Sequence, residues 1–411
     1  MPSEREQTPP HISINGDDVE GHDTPKSARS SSGWDGKLRI EKKLELANPE
    51  ALSDPEYSDE ENVVPGEVID ADEGIPTHFQ APPHKYQADH PSPDLLDDYP
   101  LDTQEIDCVH ARISSIPSLR LERFEAVTRL CLRQNTITEI ESLECLASTL
   151  TELDLYDNLI AHIRNLESLT KLTSLDLSFN KIKHIKQISH LVNLTDLYFV
   201  QNKISTIENL DGLTKLRNLE LAANRIREIQ NLETLTGLEE LWLGKNKITE
   251  MKGLSSLQNL KILSIQSNRI RAISGLDHLP NLEELYISHN ALTSLEGLEN
   301  VTGLRVLDIS NNQIESLVGL GHLKELEELW ASYNQIGDFG QVEKELKDKE
   351  KLNTVYFEGN PLQLNNPTLY RNKVRLTLPQ IMQIDASKSL GKFYSHRQEG
   401  WALFKVRVKV C

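Results

Sequence analysis

The sequence predicts a solenoid of the α/β class, in which short parallel strands stack into one curved sheet that lines the concave face. Short turns or 3₁₀ segments are expected on the convex face, with a cap at each end. Three observations predict this fold. Asparagine returns at a nearly constant interval, aliphatic residues fill the same slots around it, and the first and last repeats depart from that pattern.

Asparagine marks the repeat. It occurs at positions 135, 158, 180, 202, 224, 246, 268, 290, 312, 334 and 360, so the interval is 23 residues once, 22 residues eight times and 26 residues once. Aliphatic residues stand at fixed distances from it, as around Asn180: Leu169, Leu172, Leu175, Leu177, Ile182 and Ile185. This spacing is the pattern of a leucine-rich repeat.

Each repeat is expected to contain one short strand. In Leu175-Asp176-Leu177 the apolar residues alternate with a polar one, so the leucines face the core and the aspartate faces outward. Elsewhere the aliphatic residues are three apart, which favours tight turns over a long helix. Because one repeat cannot bury its own leucines, stacked repeats share a continuous core. The asparagine amides are expected to bond the backbone at the turns.

The repeat domain is expected to span residues 106–386, with about 12 repeats and a cap at both ends. In the first repeat, Ala111 stands where asparagine is expected, which indicates a degenerate capping coil. After Asn360 a short closing helix is predicted to end at Pro379. Its apolar residues, with those that follow it, are Tyr370, Val374, Leu376, Leu378, Ile381 and Ile384.

Residues 1–105 are expected to form a disordered acidic tail. They contain 8 Lys+Arg and 25 Asp+Glu, whereas the remaining residues contain 36 and 38. Their low apolar content cannot offset a backbone ordering cost of about 1–2 kcal/mol per residue. Since the repeat domain is nearly neutral, its charge does not favour nucleic acid as a ligand, and a protein partner is the better expectation.

Catalysis is not expected. The repeats contain no H-E-x-x-H, G-x-S-x-G or glycine-rich phosphate-binding loop, and the histidines are scattered without ligand spacing. No apolar run is long enough for a membrane span, and the first residues do not resemble a secretory signal. We therefore expect a soluble, intracellular, non-enzymatic protein with no cofactor or metal, which binds neither nucleic acid nor membrane.

The candidate functional site is the strand residue four positions before each asparagine. With strands about 4.8 Å apart, this outward-facing column is expected to form a stripe about 50 Å long. Its members are Cys131, Asp154, Asp176, Tyr198, Glu220, Trp242, Ser264, Tyr286, Asp308, Trp330 and Tyr356. A second column, two residues earlier, adds Glu152, Asp196, Glu240, Glu284 and Glu328. Aromatic residues in a row with carboxylates between them are typical of protein interfaces, although strands favour aromatic residues in any case.

Several motifs resemble one particular family, the nuclear leucine-rich-repeat regulatory subunits of protein phosphatase-1. They are Leu130-Cys-Leu-Arg-Gln-Asn135, Leu153-Asp-Leu-Tyr-Asp-Asn158, Leu243-Gly-Lys-Asn-Lys-Ile248, Gln266-Ser-Asn-Arg269 and Gln383-Ile-Asp-Ala386. The resemblance covers about residues 106–386 and implies that the phosphatase catalytic subunit binds on the concave face. The positions that match the family's contact residues are Asp176, Tyr198, Glu220, Trp242, Asp308, Glu328, Trp330 and Tyr356. Tyr198 and Trp242 stand where the family often has phenylalanine.

The resemblance implies a regulatory subunit that modulates the activity or assembly of the phosphatase, with a role in cell division and chromosome segregation. It implies a location in the nucleus and also in the cytoplasm, a monomer in the absence of partners, and room for a further small inhibitor protein in a ternary complex. Residues 387–411 are an atypical extension, because the family usually ends soon after the Gln383 motif. The alternative hypothesis is an acidic nuclear scaffold or histone-binding leucine-rich-repeat protein that acts through its charged tail.

Overall fold

A computed structural model describes residues 95–388 of the chain. Fourteen strands form one sheet in chain order, and β1 to β13 are parallel, whereas β14 is antiparallel to β13. The strands are β1 Glu105–Asp107, β2 Arg129–Cys131, β3 Glu152–Asp154, β4 Ser174–Asp176, β5 Asp196–Tyr198, β6 Asn218–Glu220, β7 Glu240–Trp242, β8 Ile262–Ser264, β9 Glu284–Tyr286, β10 Val306–Asp308, β11 Glu328–Trp330, β12 Thr354–Tyr356, β13 Gln383–Ile384 and β14 Ser387–Lys388. The predicted leucine-rich-repeat solenoid with a parallel sheet is confirmed.

The connections between strands are mostly turns, as their three-residue spacing predicts. Within residues 95–388, 3₁₀ helices occur near the N-terminal end, at Ile116–Leu119, Leu121–Arg123 and Glu144–Leu146. The α-helices gather near the other end: α1 Phe339–Leu346, α2 Pro361–Leu364 and α3 Pro367–Thr377. In this part of the chain, no helix is long and apolar enough to cross a membrane.

The core is one continuous column of leucine and isoleucine. The middle residue of each strand from β2 to β11 is a leucine that is at most 1% exposed, and the aliphatic residues of the turns are buried behind it. Full burial of one such side chain stabilises the fold by about 1.5–3 kcal/mol. Since each leucine packs against the repeats before and after it, this contribution depends on the stack as a whole.

The asparagines form the expected ladder beside the C-terminal ends of the strands. The Asn180 Nδ2 group donates to the carbonyls of Leu177 (3.1 Å) and Leu155 (3.0 Å), and its Oδ1 accepts from the N–H of Ile160 (2.9 Å). Equivalent bonds recur from Asn135 to Asn360. Each side chain therefore ties one turn to the preceding repeat, and the structural role of the asparagines is confirmed.

The N-terminal cap begins before the predicted boundary at residue 106. Leu96 is buried against the core, and the hydroxyl of Tyr99 donates to the carbonyl of Asp107 (2.9 Å). The stretch 95–105 therefore belongs to the folded part, although its acidic composition resembles that of the tail. Residues 1–94 of the predicted tail, and 389–411 of the predicted extension, lie outside the described residues.

The C-terminal cap explains the longer 26-residue interval, because α1 occupies the connection between β11 and β12. The closing helix α3 ends at Thr377 and buries Tyr370 and Val374. Leu376 was wrongly placed among the closing apolar residues: it is 82% exposed, because it lies on the face of α3 opposite to the buried Val374. The strand β13 then extends the sheet beyond β12.

Candidate protein interface

The first and third residues of β1 to β12 point away from the leucine core, and we call the surface that they form the strand face. Seven of the predicted contact residues are third residues of their strands: Asp176, Tyr198, Glu220, Trp242, Asp308, Trp330 and Tyr356. Glu328 is the first residue of β11. The parallel register aligns the third residues of neighbouring strands in one column, with Asp308 beside Trp330 and Trp330 beside Tyr356. The first residues, such as Glu328, form a second column. The sequence therefore identified which side chains share this face.

The strand face is less open than predicted. Cys131 and Ser264 are 1% exposed and Asp308 is 6% exposed, although the column was expected to face outward freely. Ser264 lies on the strand between Trp242 and Tyr286, and Asp308 lies on the strand between Tyr286 and Trp330. The large rings lean over these shorter side chains and cover them.

Ring-to-ring distances show this arrangement directly. The centroids of Trp242 and Tyr286 are 6.3 Å apart, those of Tyr286 and Trp330 are 6.0 Å apart, and those of Trp330 and Tyr356 are 5.9 Å apart. Strands two apart in a sheet are separated by about 9.6 Å, so the first two pairs touch only because the rings tilt toward each other. Such contacts stabilise aromatic pairs by about 0.5–1.5 kcal/mol beyond their burial. The four rings therefore form a continuous, supported surface.

Carboxylates on the same strands hold the polar atoms of these rings. The indole N–H of Trp330 donates to Glu328 Oε2 (3.0 Å), that of Trp242 to Glu240 Oε2 (3.3 Å), and the Tyr286 hydroxyl to Glu284 Oε2 (2.7 Å). Burial and the bond to Glu284 raise the pKa of Tyr286. The repeated Glu-Leu-aromatic strand thus places each acid where it orients the following ring.

The N-terminal half of the strand face is acidic. Burial, with the charge of Asp154 nearby, raises the pKa of Asp176 to about 6. Burial, with the charge of Asp176, raises the pKa of Glu220 to about 7. The ring of Tyr198 lies between them in the column, and its hydroxyl donates to Asp196 Oδ1 (3.4 Å). These carboxyl groups are desolvated without a nearby cation sufficient to offset the cost, which favours a cationic ligand.

The charge of the strand face is one-sided. One outward position of β1 to β12 is basic, Arg129. The acidic positions are Glu105, Asp107, Glu152, Asp154, Asp176, Asp196, Glu220, Glu240, Glu284, Asp308 and Glu328. The prediction from composition that the repeat domain is nearly neutral does not extend to this surface. The basic residues lie elsewhere, for instance Arg305, which pairs with Glu283 (3.3 Å) and Glu327 (2.9 Å) at the flank.

An aromatic stack at the rim of the strand face was missed by the sequence analysis. The Arg133 guanidinium carbon lies 4.2 Å from the ring centroid of Tyr156, and that ring lies 4.8 Å from the ring of Phe179. Phe179 precedes Asn180 and has a φ of 56°, a conformation that bulky residues rarely adopt. The signal that could have found it is the residue type, because an aromatic residue is unusual in the slot before the asparagine.

The strand face has the features of a binding surface. In residues 95–388, no group of three or more His, Cys, Asp or Glu side chains could hold a metal ion. The raised pKa values of Asp176 and Glu220 follow from burial and from the charges of neighbouring carboxylates. A supported row of rings beside desolvated acids can recognise a protein surface that presents apolar and basic groups.

Comparison with known proteins supports the repeat assignment. Family models described as "Leucine Rich repeats (2 copies)" match residues 214–256, 236–278, 258–300, 280–322 and 302–345, and one described as "Leucine rich repeat" matches residues 170–226. Among solved structures, an internalin from Listeria monocytogenes is 24% identical with a TM-score of 0.57, covering 70% of this chain and 87% of that one. A leucine-rich-repeat protein from Leptospira interrogans is 23% identical with a TM-score of 0.53, covering 67% and 81%. These structures share the fold.

Two curated proteins are similar in sequence. A protein named protein phosphatase 1 regulatory subunit SDS22 from Schizosaccharomyces pombe is 53% identical over 79 residues, which are 19% of this chain and 23% of that protein. Its namesake from Saccharomyces cerevisiae is 49% identical over 81 residues, 19% and 24% of the two chains. The matches thus span about a quarter of the length of these relatives. The chain therefore contains leucine-rich repeats and resembles, over about a fifth of its length, the SDS22 regulatory subunits of protein phosphatase 1.

Proposed function

We propose that the chain is a non-catalytic regulatory subunit of protein phosphatase 1 and that it holds the catalytic subunit against its strand face, the concave side of the solenoid. The observation that carries this proposal is the likeness to the two SDS22 subunits, at 53% and 49% identity over their aligned segments. The strand face is the proposed binding surface because its rings and acids are already held in position before a partner binds.

Preorganisation favours binding at this surface. Tyr286 contacts both Trp242 and Trp330, and each of the three rings bonds a carboxylate of its own strand, so little side-chain freedom remains to be lost on association. Trp and Tyr in such settings often provide a large share of the binding energy. The eight contact residues predicted from the resemblance belong to this proposal.

We further propose that binding modulates the activity or assembly of the phosphatase, in the nucleus and also in the cytoplasm, and that the complex acts in cell division and chromosome segregation. In this proposal the chain is a monomer before it binds, and a small inhibitor protein can join as a third subunit. Each of these finer statements rests on the resemblance to the family.

Capture of purified catalytic subunit by the full chain tests the proposal. Trp330→Ala removes a central ring and its bond to Glu328, and Glu220→Ala removes a desolvated acid, so each is expected to weaken capture at least about 30-fold, or 2 kcal/mol. The matched controls are Leu376→Ala and Glu296→Ala, which change an exposed apolar residue and an exposed acid elsewhere. Equal capture by all five proteins would remove the strand face as the site.

The same assay separates the alternative in which the acidic tail carries function. A chain that begins at residue 95 lacks the tail but keeps Leu96 and Tyr99, which pack on the core. Our proposal expects this shortened chain to capture the phosphatase as well as the full chain does. If the shortened chain did not capture the phosphatase and the full chain captured histones, the results would favour the hypothesis that the acidic tail carries function.

A further inference from the structure

The chain contains its own example of how this surface binds a guanidinium group. Arg133 donates from Nη1 to Asp154 Oδ2 (3.3 Å), and its guanidinium lies over the ring of Tyr156 at 4.2 Å. The other carboxylate oxygen of Asp154 accepts from the N–H of Tyr156 (3.0 Å), which fixes the acid relative to the ring. An acid at the end of a strand and an aromatic residue in the following turn thus hold one arginine.

The next repeat presents an acid at the same strand position and a ring one residue further along the turn, because Ser178 fills the slot of Tyr156 and Phe179 follows it. Asp176 also ends its strand, and its Oδ1 accepts from the N–H of Ser178 (2.8 Å), the residue before Phe179. Phe179 is 39% exposed, and its ring continues the stack from Arg133 and Tyr156. Among residues 95–388, no lysine or arginine forms a salt bridge with Asp176, whereas Arg133 pairs with the neighbouring Asp154 and acts on Asp176 only through its charge.

We propose that Asp176 and Phe179 receive an arginine side chain of the bound partner, as Asp154 and Tyr156 receive Arg133. The occupant is therefore a protein surface that presents an arginine at the rim of the strand face. Two features favour it: the acids of the strand face greatly outnumber its single arginine, and Asp176 lies beside the ring of Tyr198 in the same column. The proposal rests on the proposed function insofar as the partner is the phosphatase.

Arginine suits this position better than lysine. Its planar guanidinium can bond a carboxylate through one edge while its face stacks on an aromatic ring, whereas an ammonium group can do the first and only weakly the second. The internal example uses both contacts at once. The position is therefore expected to discriminate between the two cations.

One experiment tests this discrimination without the phosphatase. Fluorinated phenylalanine is incorporated into the full chain, which has 8 Phe, and the signal of Phe179 is identified by its loss in Phe179→Asn. Asparagine tolerates a positive φ, so this variant preserves the backbone. N-acetyl-arginine amide is expected to shift the Phe179 signal in a saturable manner. The dissociation constant of N-acetyl-lysine amide is expected to be at least about fivefold higher. Asp176→Asn is expected to abolish the difference.

A second experiment measures the position in the complex. Dissociation constants for purified phosphatase catalytic subunit are determined for Asp176→Asn, Phe179→Asn and the double variant of the full chain. If one guanidinium contacts both residues, each single change weakens binding about tenfold, and the double change weakens it clearly less than 100-fold. Tyr333→Asn is the matched control. Tyr333 precedes its repeat asparagine as Phe179 does and has a φ of 55°, but it lies seven repeats away. Its effect on the binding free energy is therefore expected to add to that of Asp176→Asn.

The outcomes separate the two proposals. If the unmodified chain binds the phosphatase, the coupling decides: coupled effects support the arginine position, and additive effects overturn it while the proposed function stands. If the unmodified chain does not bind the phosphatase, the proposed function fails and the amide titration decides. A preference for the arginine amide then supports the position, and equal binding of the two amides overturns it.

Discussion

Individual residues of the strand face are placed at a cost to stability. Glu220 and Asp176 are desolvated and close to other carboxylates, so the folded state favours their protonated forms. The asparagines do the opposite, because each satisfies backbone groups that a solenoid turn leaves without partners. In these two repeats, the residue that stabilises the fold and the acid that is desolvated at a cost thus lie four positions apart.

Glu220→Gln is expected to stabilise the chain at neutral pH. The pKa of Glu220 rises from 4.5 to about 7 on folding, so the stability contributed by this group is fully present below pH 4.5 and is lost as the pH rises through 7. The substitution should raise the unfolding free energy by about 1–3 kcal/mol at pH 7.5 and flatten the decline between pH 4.5 and 7. Thermal unfolding at several pH values measures this. Glu296→Gln is the control, and a lower melting temperature for Glu220→Gln at pH 7.5 would refute the explanation.

Asn246→Ala is expected to destabilise the chain by about 2–4 kcal/mol. It removes bonds to the carbonyls of Leu221 (2.9 Å) and Leu243 (3.0 Å) and from the N–H of Ile226 (3.0 Å), all of them buried. Asn259 makes one exposed bond, to the carbonyl of Thr236 (2.9 Å), so Asn259→Ala should cost less than about 1 kcal/mol. Urea unfolding compares the two variants. Similar losses for both would contradict the special role of the ladder.

At the scale of elements, the ends of the sheet need more than the repeat pattern. Helix α1 fills the connection after β11, and behind it the buried Nζ of Lys349 donates to the carbonyls of Leu320 (2.6 Å) and Leu323 (2.7 Å). Burial lowers the pKa of Lys349 to about 8. No spacing in the sequence indicates a buried lysine, because its role depends on which carbonyls the inserted helix leaves uncovered.

Asp385 joins the last elements of the cap. Its Oδ1 accepts from the N–H groups of Phe357 (2.9 Å) and Glu358 (3.1 Å) and from the hydroxyl of Tyr370 (3.1 Å). Asp385→Ala should therefore destabilise β12 and α3 by about 3 kcal/mol or more, and Tyr370→Phe, which removes one of the three donors, by about 1 kcal/mol. Hydrogen exchange of the β12 amides measures both. If Asp385→Ala left their protection unchanged, the cap would not depend on this carboxylate.

At the scale of the whole described chain, the fold was predictable and parts of the surface were not. The spacing of the asparagines fixed the strands, the core and the membership of the strand face, because these follow from a period of 22 residues. Whether Ser264 and Asp308 are covered depends on rings one strand away on either side, and the stack at Phe179 depends on contacts across three repeats. Such contacts between repeats are not visible in a single repeat.

The charge also becomes clear only at this scale. The repeat region is nearly neutral by composition, yet many of its acids lie on the strand face, and basic residues such as Lys261 and Arg305 pair with other acids at the flank. A surface with this charge attracts basic partners in a manner that salt weakens. One face of the solenoid is therefore distinguished from the others by both charge and aromatic content.

Photo-crosslinking tests most directly whether the phosphatase lies on that face. A benzophenone side chain is placed in the full chain at Tyr286, in the middle of the strand face, or at Glu296, which is exposed and lies in the turn after β9. With purified phosphatase catalytic subunit, we expect a covalent adduct from position 286 and none from position 296. An adduct from position 296 alone would contradict the account.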